Sequence, residues 1–135
     1  MNLRRIDECK RYWTLAKNLE SNVPLLEEKG DFRKACEALW GAAVNYTKAL
    51  LALMMDRPEE IRSWRHKEVR DGMKKILLSM GEDPQLVSLL EALHANFYEG
   101  FMDPDDYLRF KKAALKYIET VISGIEKTLN QVADT

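Results

Sequence analysis

The chain has 135 residues, a formal net charge of −1 and a composition that is 46% hydrophobic and 32% charged. A chain of this length buries roughly two-thirds of its unfolded surface, and this composition excludes an intrinsically disordered protein. A net charge close to zero creates no overall attraction to nucleic acid or to an anionic membrane, so binding of either would depend on a local patch.

Charge is distributed unevenly along the chain. Residues 62–75 contain six lysines and arginines and two acids, whereas residues 82–106 contain seven acids and no lysine or arginine. Two explanations are open. The segments are solvated surfaces that complement each other within the fold or across a dimer, or the basic segment is a patch for a polyanion.

The two cysteines, Cys9 and Cys36, lie on either side of a turn expected at Gly30. In an antiparallel helix pair they would be roughly 20 Å apart, which is beyond disulfide reach, so we expect both to be reduced and packed. The N-terminus lacks an apolar signal core, and the apolar run 38–55 is short and contains Lys48. We therefore expect a cytoplasmic protein that does not enter a membrane.

The first two predicted helices form an antiparallel hairpin. Apolar residues recur at helical spacing over residues 4–29, and Pro24 predicts a kink or break near Asn22. Gly30 is a typical helix stop and Asp31 a typical helix cap, and so short a link places the next helix antiparallel to the first.

The second predicted helix, about residues 31–55, organises the rest of the chain. Between Ala38 and Met55 the clearly polar residues are Asn45, Thr47 and Lys48. A helix without a polar face must be surrounded by neighbours, so we expect it at the centre of the fold, with a close helix contact at Gly41. Its apolar core is interpreted as packing, and functional residues are sought elsewhere.

The second half of the chain predicts three more helices, over about 67–80, 84–99 and 104–132. The connector 57–66 contains at most one short helical turn. Asp83-Pro84 and Asp103-Pro104 are typical helix starts. The last helix has an apolar seam at Leu108, Leu115, Ile118, Ile122, Ile125, Leu129 and Val132. This seam serves either packing within the bundle or a dimer contact.

Together these elements predict an all-α fold. We expect a single domain over residues 1–135, formed by an antiparallel up-and-down bundle of four to five helices.

The first candidate binding surface lies where the connector meets the third helix. An aromatic residue beside cations is typical of a site that stacks bases and contacts phosphates. The residues are Arg62, Trp64, Arg65 and His66. The structural alternative is that Trp64 packs under the loop while His66 lines the start of the helix.

The second candidate surface lies at the end of the fourth helix. Glu91, His94 and Tyr98 are three and four residues apart and therefore share one helix face. The candidate binding residues here are His94, Asn96, Tyr98 and Glu99. The alternative is a hydrogen-bonded network that fixes the following loop to the last helix.

The sequence predicts neither a metal site nor a cofactor. Glu91 and His94 form one Glu-x-x-His pair, but a carboxylate-bridged di-iron bundle needs a second pair and two further inward Glu residues. Neither a Gly-x-Ser-x-Gly motif nor a glycine-rich phosphate loop occurs, so we assign no catalytic residue.

Three stretches, found in this order within residues 27–106, resemble the archaeal Pyrobaculum-repeat (PaREP) family. They are Ala38-Leu39-Trp40-Gly41-Ala42-Ala43, Trp64-Arg65-His66 and Leu93-His94-Ala95-Asn96-Phe97-Tyr98-Glu99-Gly100. The biochemical function of this family is not established. Its architecture is similar to the HEPN superfamily of helical domains, which includes RNases, toxins of toxin–antitoxin pairs and nucleotidyltransferase partners, typically as dimers.

RNases of the HEPN superfamily carry an Arg-x(4–6)-His motif near the junction of their last two long helices. Residues 94–103 of this chain contain no arginine and no second histidine, and only three residues separate Arg62 from His66. The resemblance therefore implies a non-catalytic, homodimeric HEPN-like module that binds RNA, a nucleotide or a protein partner.

Two other functions are open. One is a divergent metal-independent RNase in which His94 is the general acid or base, Asn96 or Tyr98 orients it, and Arg65 or His66 contacts phosphate. The other is a purely structural protein that binds a partner through its last helix.

Overall fold

The computed structural model describes residues 2–133, with the side chains of residues 2–131. Its elements are α1 (Leu3–Glu28), α2 (Phe32–Ala52), a 3-10 helix (Pro58–Ser63), α3 (His66–Ser79), α4 (Leu86–Glu99) and α5 (Pro104–Ala133). Residues 2–133 contain no strand, so the all-helical class is confirmed. The 3-10 helix is a sixth helical segment, in the connector for which we predicted at most one turn.

Helix α1 continues through Pro24, so of the predicted kink or break the break does not occur. The proline ring lies on the exposed face of α1, and its neighbour Val23 is buried. Proline removes one backbone hydrogen bond, but on an exposed face water can satisfy the carbonyl group that loses its partner. Packing of α1 against α2 keeps the last turns helical as far as Glu28.

The link between α1 and α2 forms as predicted. Gly30 adopts φ +71°, in the left-handed region that favours glycine. The Asp31 side chain then accepts a hydrogen bond from the backbone N–H of Lys34, which caps α2.

Helix α2 is the central element of the fold. It packs against α1, α3, α4, α5 and the 3-10 helix. A Cβ atom on Gly41 would lie 2.9 Å from Cδ1 of Leu19, which confirms the close approach of α1 at this glycine. Its buried residues are Ala35, Cys36, Ala38, Leu39, Trp40, Ala42, Ala43, Tyr46, Thr47, Ala49, Leu50 and Ala52.

The end of α4 is fixed to α2. Gly100 ends α4 with φ +62°, and Arg33 of α2 donates hydrogen bonds to the carbonyl oxygens of Phe97 and Tyr98. A cation at this position also stabilises the negative end of the helix dipole. The orientation of the last turn of α4 relative to α2 is thereby determined.

The predicted seam of α5 is only partly used within the chain. Ile118 and Ile125 are buried, whereas Leu108 is 59% and Leu115 37% exposed. Val132, the last position of the predicted seam, has its side chain outside the described residues.

Both cysteines are free and buried, as predicted. Burial raises the pKa of the Cys9 thiol to about 11, which keeps it protonated at neutral pH. None of the helices within residues 2–133 combines the length and the apolar character needed to span a membrane.

Candidate functional site

Three aromatic rings from different helices meet at one surface. Trp40 of α2 lies 5.5 Å from the ring of His66, the first residue of α3, and 5.5 Å from that of His94 in α4. The two imidazole centroids are 6.0 Å apart, with 27° between the ring planes. Trp40 is 6% exposed, so it forms the floor on which the more accessible histidines lie. We call these three residues the imidazole cluster.

Each imidazole of the cluster faces a carboxylate on a helix other than its own. His94 Nδ1 is 2.8 Å from Oε2 of Glu37 in α2, and His66 Nε2 is 3.4 Å from Oε2 of Glu91 in α4. A carboxylate accepts and cannot donate, so the facing ring nitrogen carries the hydrogen. The lone pair of a neutral His94 therefore lies on Nε2.

Two further side chains complete the surroundings of the cluster. Arg70 Nη1 lies 3.6 Å from Glu91 Oε2, and the ring of Tyr98 meets that of His94 edge-on at 5.3 Å. Tyr98 is 66% exposed, so one side of the cluster presents an accessible aromatic ring. At Glu91 the basic segment 62–75 and the acidic segment 82–106 meet within one chain.

The N-terminus of α3 carries a net positive charge. The exposed cations Arg65 and Lys67 flank His66 and outnumber the one acid of the first turn, Glu68, and free backbone N–H groups and the helix dipole add further positive potential. The carboxylate of Glu68 accepts the backbone N–H of Arg65 at 3.0 Å. Cations at this end of a helix are unfavourable by roughly 0.3–1 kcal/mol each, and an anion placed there would relieve the repulsion.

The structure separates the first predicted set of binding residues. Arg65 and His66 lie at the N-terminus of α3, but Arg62 is paired with the buried carboxylate of Glu8 in α1. The hydrogen bond and negative charge of Glu8 raise the pKa of the Arg62 guanidinium. The ion pair of Arg62 with Glu8 joins the 3-10 helix to α1.

Trp64 is also directed away from the imidazole cluster. It packs on the core beside Gly72, where it lines a separate opening with Leu51 and Met55. The structural alternative, in which Trp64 packs under the loop, therefore describes this residue.

The second predicted set divides in the same way. His94 and Tyr98 belong to the imidazole cluster and its rim. Asn96 is buried, where its amide donates to Cys36 Sγ at 3.4 Å and accepts the backbone N–H of Met102 at 2.8 Å. Asn96 therefore fixes the loop before α5, as the structural alternative proposed, while Glu99 is exposed at the end of α4.

Trp40 and Glu37 were not among the predicted site residues, because the apolar sequence of α2 indicated packing alone. Two signals were available. Glu37 is an acid one turn before a tryptophan on a largely apolar helix. Trp40, His66 and His94 each lie in one of the three stretches that resemble the PaREP family. Within residues 2–133, no group of three or more His, Cys, Asp or Glu side chains is arranged to hold a metal ion.

The fold and the site define a small all-helical protein with a polar aromatic cluster formed by α2, α3 and α4. The sequence matches the archaeal PaREP1/PaREP8 family over residues 4–118, and the chain belongs to this family. The matched region includes the whole imidazole cluster and the first half of α5, and it confirms the resemblance to the PaREP family. Comparison with curated proteins and with solved structures gave no match.

Proposed function

We propose that this protein is a single-domain, HEPN-like helical bundle that acts as a non-catalytic module and binds RNA or a nucleotide at the imidazole cluster. One observation carries the proposal: the three stretches that resemble the family converge in space as Trp40, His66 and His94. Packing alone does not require two partly exposed imidazoles to lie against a buried indole and to meet two carboxylates.

The ligand follows from the chemistry around the cluster. Arg65, Lys67 and the backbone N–H groups at the start of α3 provide a positive site for a phosphate. Tyr98 and the imidazole rings provide flat surfaces on which a base can stack, an interaction worth roughly 1–3 kcal/mol per base. A single-stranded RNA segment or a nucleotide offers both groups at once.

The test compares two charge reversals of the same size. Lys67→Glu places an acid at the proposed phosphate site, whereas Lys127→Glu changes an α5 residue beside Ser79, at the opposite end of α3 and about 20 Å away. We expect fluorescence anisotropy with labelled single-stranded RNA at low salt to show at least about tenfold weaker binding for Lys67→Glu than for Lys127→Glu. Equal affinities, or no binding of RNA, DNA and nucleotides by the wild type, would refute the proposal.

The proposal includes a homodimer in the cytoplasm. Leu108 and Leu115 of α5 lie exposed beside Leu89 of α4, and a second copy would cover this apolar strip. Two buried free thiols are compatible with a reducing compartment. Light scattering at several concentrations tests the dimer. A monomeric mass at every concentration would refute the homodimer. Binding of a different protein to the same strip would support the partner-binding alternative.

A second function, metal-independent RNA cleavage, is favoured by one specific observation. Two histidines, each paired with a glutamate, lie with ring centroids 6.0 Å apart. One imidazole could take the proton of a 2′-hydroxyl while the other protonates the leaving 5′-oxygen. Incubation of RNA with wild type and with His94→Ala decides this. Cleavage by the wild type alone supports catalysis, and equal cleavage or none excludes it.

A further inference from the structure

His94 is held in one orientation by three different side chains. Glu37 accepts a hydrogen bond from Nδ1, the Trp40 indole is stacked against one side of the ring at an interplanar angle of 27°, and Tyr98 meets it edge-on at 88°. These contacts come from two helices, so rotation of the imidazole would break several of them together. The side chain is nevertheless 33% exposed.

The arrangement leaves the second ring nitrogen available for reaction. With the proton held on Nδ1 by Glu37, Nε2 carries the lone pair, and within residues 2–133 no hydrogen bond or ion pair occupies it. A carboxylate behind an imidazole fixes the tautomer and stabilises the positive charge that develops when the other nitrogen attacks an electrophile. The Glu37–His94 pair therefore has the features of an activated nucleophile.

We propose that Nε2 of His94 is a phosphoryl-accepting site, with an acyl phosphate as the donor. The lone pair of Nε2 attacks phosphorus, a nitrogen–phosphorus bond forms, and the bond from phosphorus to the acyl oxygen breaks. The leaving group departs as a carboxylate with the bonding electrons. The ring becomes a phosphoimidazolium whose Nδ1 proton remains hydrogen-bonded to Glu37, so no oxidant, reductant or further reactant is needed.

Positive groups near His94 reduce the cost of adding a phosphoryl group. The N-terminus of α3 begins at His66, whose ring centroid is 6.0 Å from that of His94, and Arg70 pairs with Glu91 at 3.6 Å on the same side. Phosphorylation would nevertheless add net negative charge beside the carboxylates of Glu37 and Glu91, and this charge would weaken the binding of a nucleic acid at the same surface.

His66 provides a natural comparison within the same cluster. Its Nε2 is 3.4 Å from Glu91, a carboxylate that it shares with Arg70, and its side chain is 46% exposed. A longer contact to a shared carboxylate activates and orients an imidazole less than the 2.8 Å contact of His94. The proposal therefore predicts phosphorylation of His94 in preference to His66. This preference depends on the Glu37–His94 pair and does not require RNA binding.

The test uses acetyl phosphate as the probe, in the absence of RNA, with the mass of the intact protein as the readout. We expect wild type and His66→Gln to gain one phosphoryl group that survives alkali and is lost in mild acid, as a phosphoramidate should be. His94→Gln should gain none. Glu37→Gln keeps a hydrogen-bond acceptor without its charge, and it should react at least about tenfold more slowly, which corresponds to about 1.4 kcal/mol.

Mapping of the modified residue by fragmentation of the wild-type protein keeps the result interpretable even where a variant does not fold. A phosphoryl group on His94 supports the proposal. Its absence from the wild type, its location on His66, or an unchanged rate in a folded Glu37→Gln variant would overturn it. Since RNA is absent, a negative result here leaves the anisotropy experiment unaffected, and a negative anisotropy result leaves this one unaffected.

Discussion

Glu37 and His94 are 57 residues apart in the sequence, and a 2.8 Å hydrogen bond joins them across the interface between α2 and α4. Through this contact the central helix α2 forms one side of the candidate site, although its sequence indicated packing alone. The same helix positions Trp40 one turn later, beneath both histidines of the chain. The site and the core therefore share α2, and variants must be chosen that separate binding from stability.

Lys67→Glu should separate these two properties. Glutamate near the start of α3 interacts favourably with the helix dipole, where lysine does not, so we expect the free energy of unfolding to rise by roughly 0.3–1 kcal/mol at low salt. Chemical denaturation measures this change, with Lys127→Glu as the control. A variant that is more stable and binds RNA less tightly would show that the loss of binding does not come from unfolding.

Asn96→Ala should destabilise the protein through the loop before α5. Asn96 is 2% exposed, and the substitution leaves the part-buried backbone N–H of Met102 without its 2.8 Å acceptor, at a cost of about 1–3 kcal/mol. Asn18→Ala, at an exposed position of α1, is the matched control and should change stability by less than about 0.5 kcal/mol. Equal denaturation midpoints for the two variants would contradict the structural role of Asn96.

Arg62→Ala should lower stability without a specific effect on RNA affinity. Glu8 is 6% exposed, and without Arg62 its carboxylate stays buried and uncompensated. Addition of Glu8→Gln should therefore recover part of the lost stability, which thermal denaturation of the single and double variants would measure. If the double variant were less stable than Arg62→Ala, the ion pair would not be the reason.

Stability in acid should depend on Glu27. Burial raises the pKa of its carboxyl group, but hydrogen bonds from Lys111 and Tyr107 and the charge of Lys111 outweigh this, and the net pKa lies below the ordinary value of 4.5. A carboxyl group with a lowered pKa in the folded state stabilises the protein above its ordinary pKa. That stabilisation is lost as the pH falls through the folded-state value.

Glu27→Gln should consequently lose less stability than the wild type as the pH falls below about 4.5. Glu28→Gln, at the neighbouring exposed acid, is the control and should follow the wild-type profile. Denaturation midpoints measured across this pH range give the comparison. If the denaturation midpoint of Glu27→Gln fell with pH as steeply as that of the wild type, the Glu27 carboxylate would not be the cause of the loss of stability in acid.

Local signals in the sequence predicted most of the helix boundaries. Gly30 and Asp31 separate α1 from α2, and Asp103-Pro104 precedes α5, because caps and prolines act on their own immediate backbone. The break that Pro24 allowed does not occur, because the effect of a proline depends on whether the freed carbonyl group faces water, which local sequence does not specify.

The candidate site was predicted only in part for a related reason. His66 and His94 were recognised by their polar surroundings, but their contact depends on how α3 and α4 pack on α2. Helical periodicity identifies a buried face and does not say which residues of two helices meet. Trp40 was therefore assigned to the core, and its contact with both imidazoles became visible only in the fold.

The most direct measurement of the central claim uses the fact that His66 and His94 are the two histidines of the chain. Their imidazole nitrogen and carbon-bound proton signals can be followed by NMR while single-stranded RNA is added. We predict that both sets of signals shift together and saturate at the affinity found by fluorescence anisotropy. RNA binding with both imidazole signals unchanged would contradict the assignment of the imidazole cluster as the binding site.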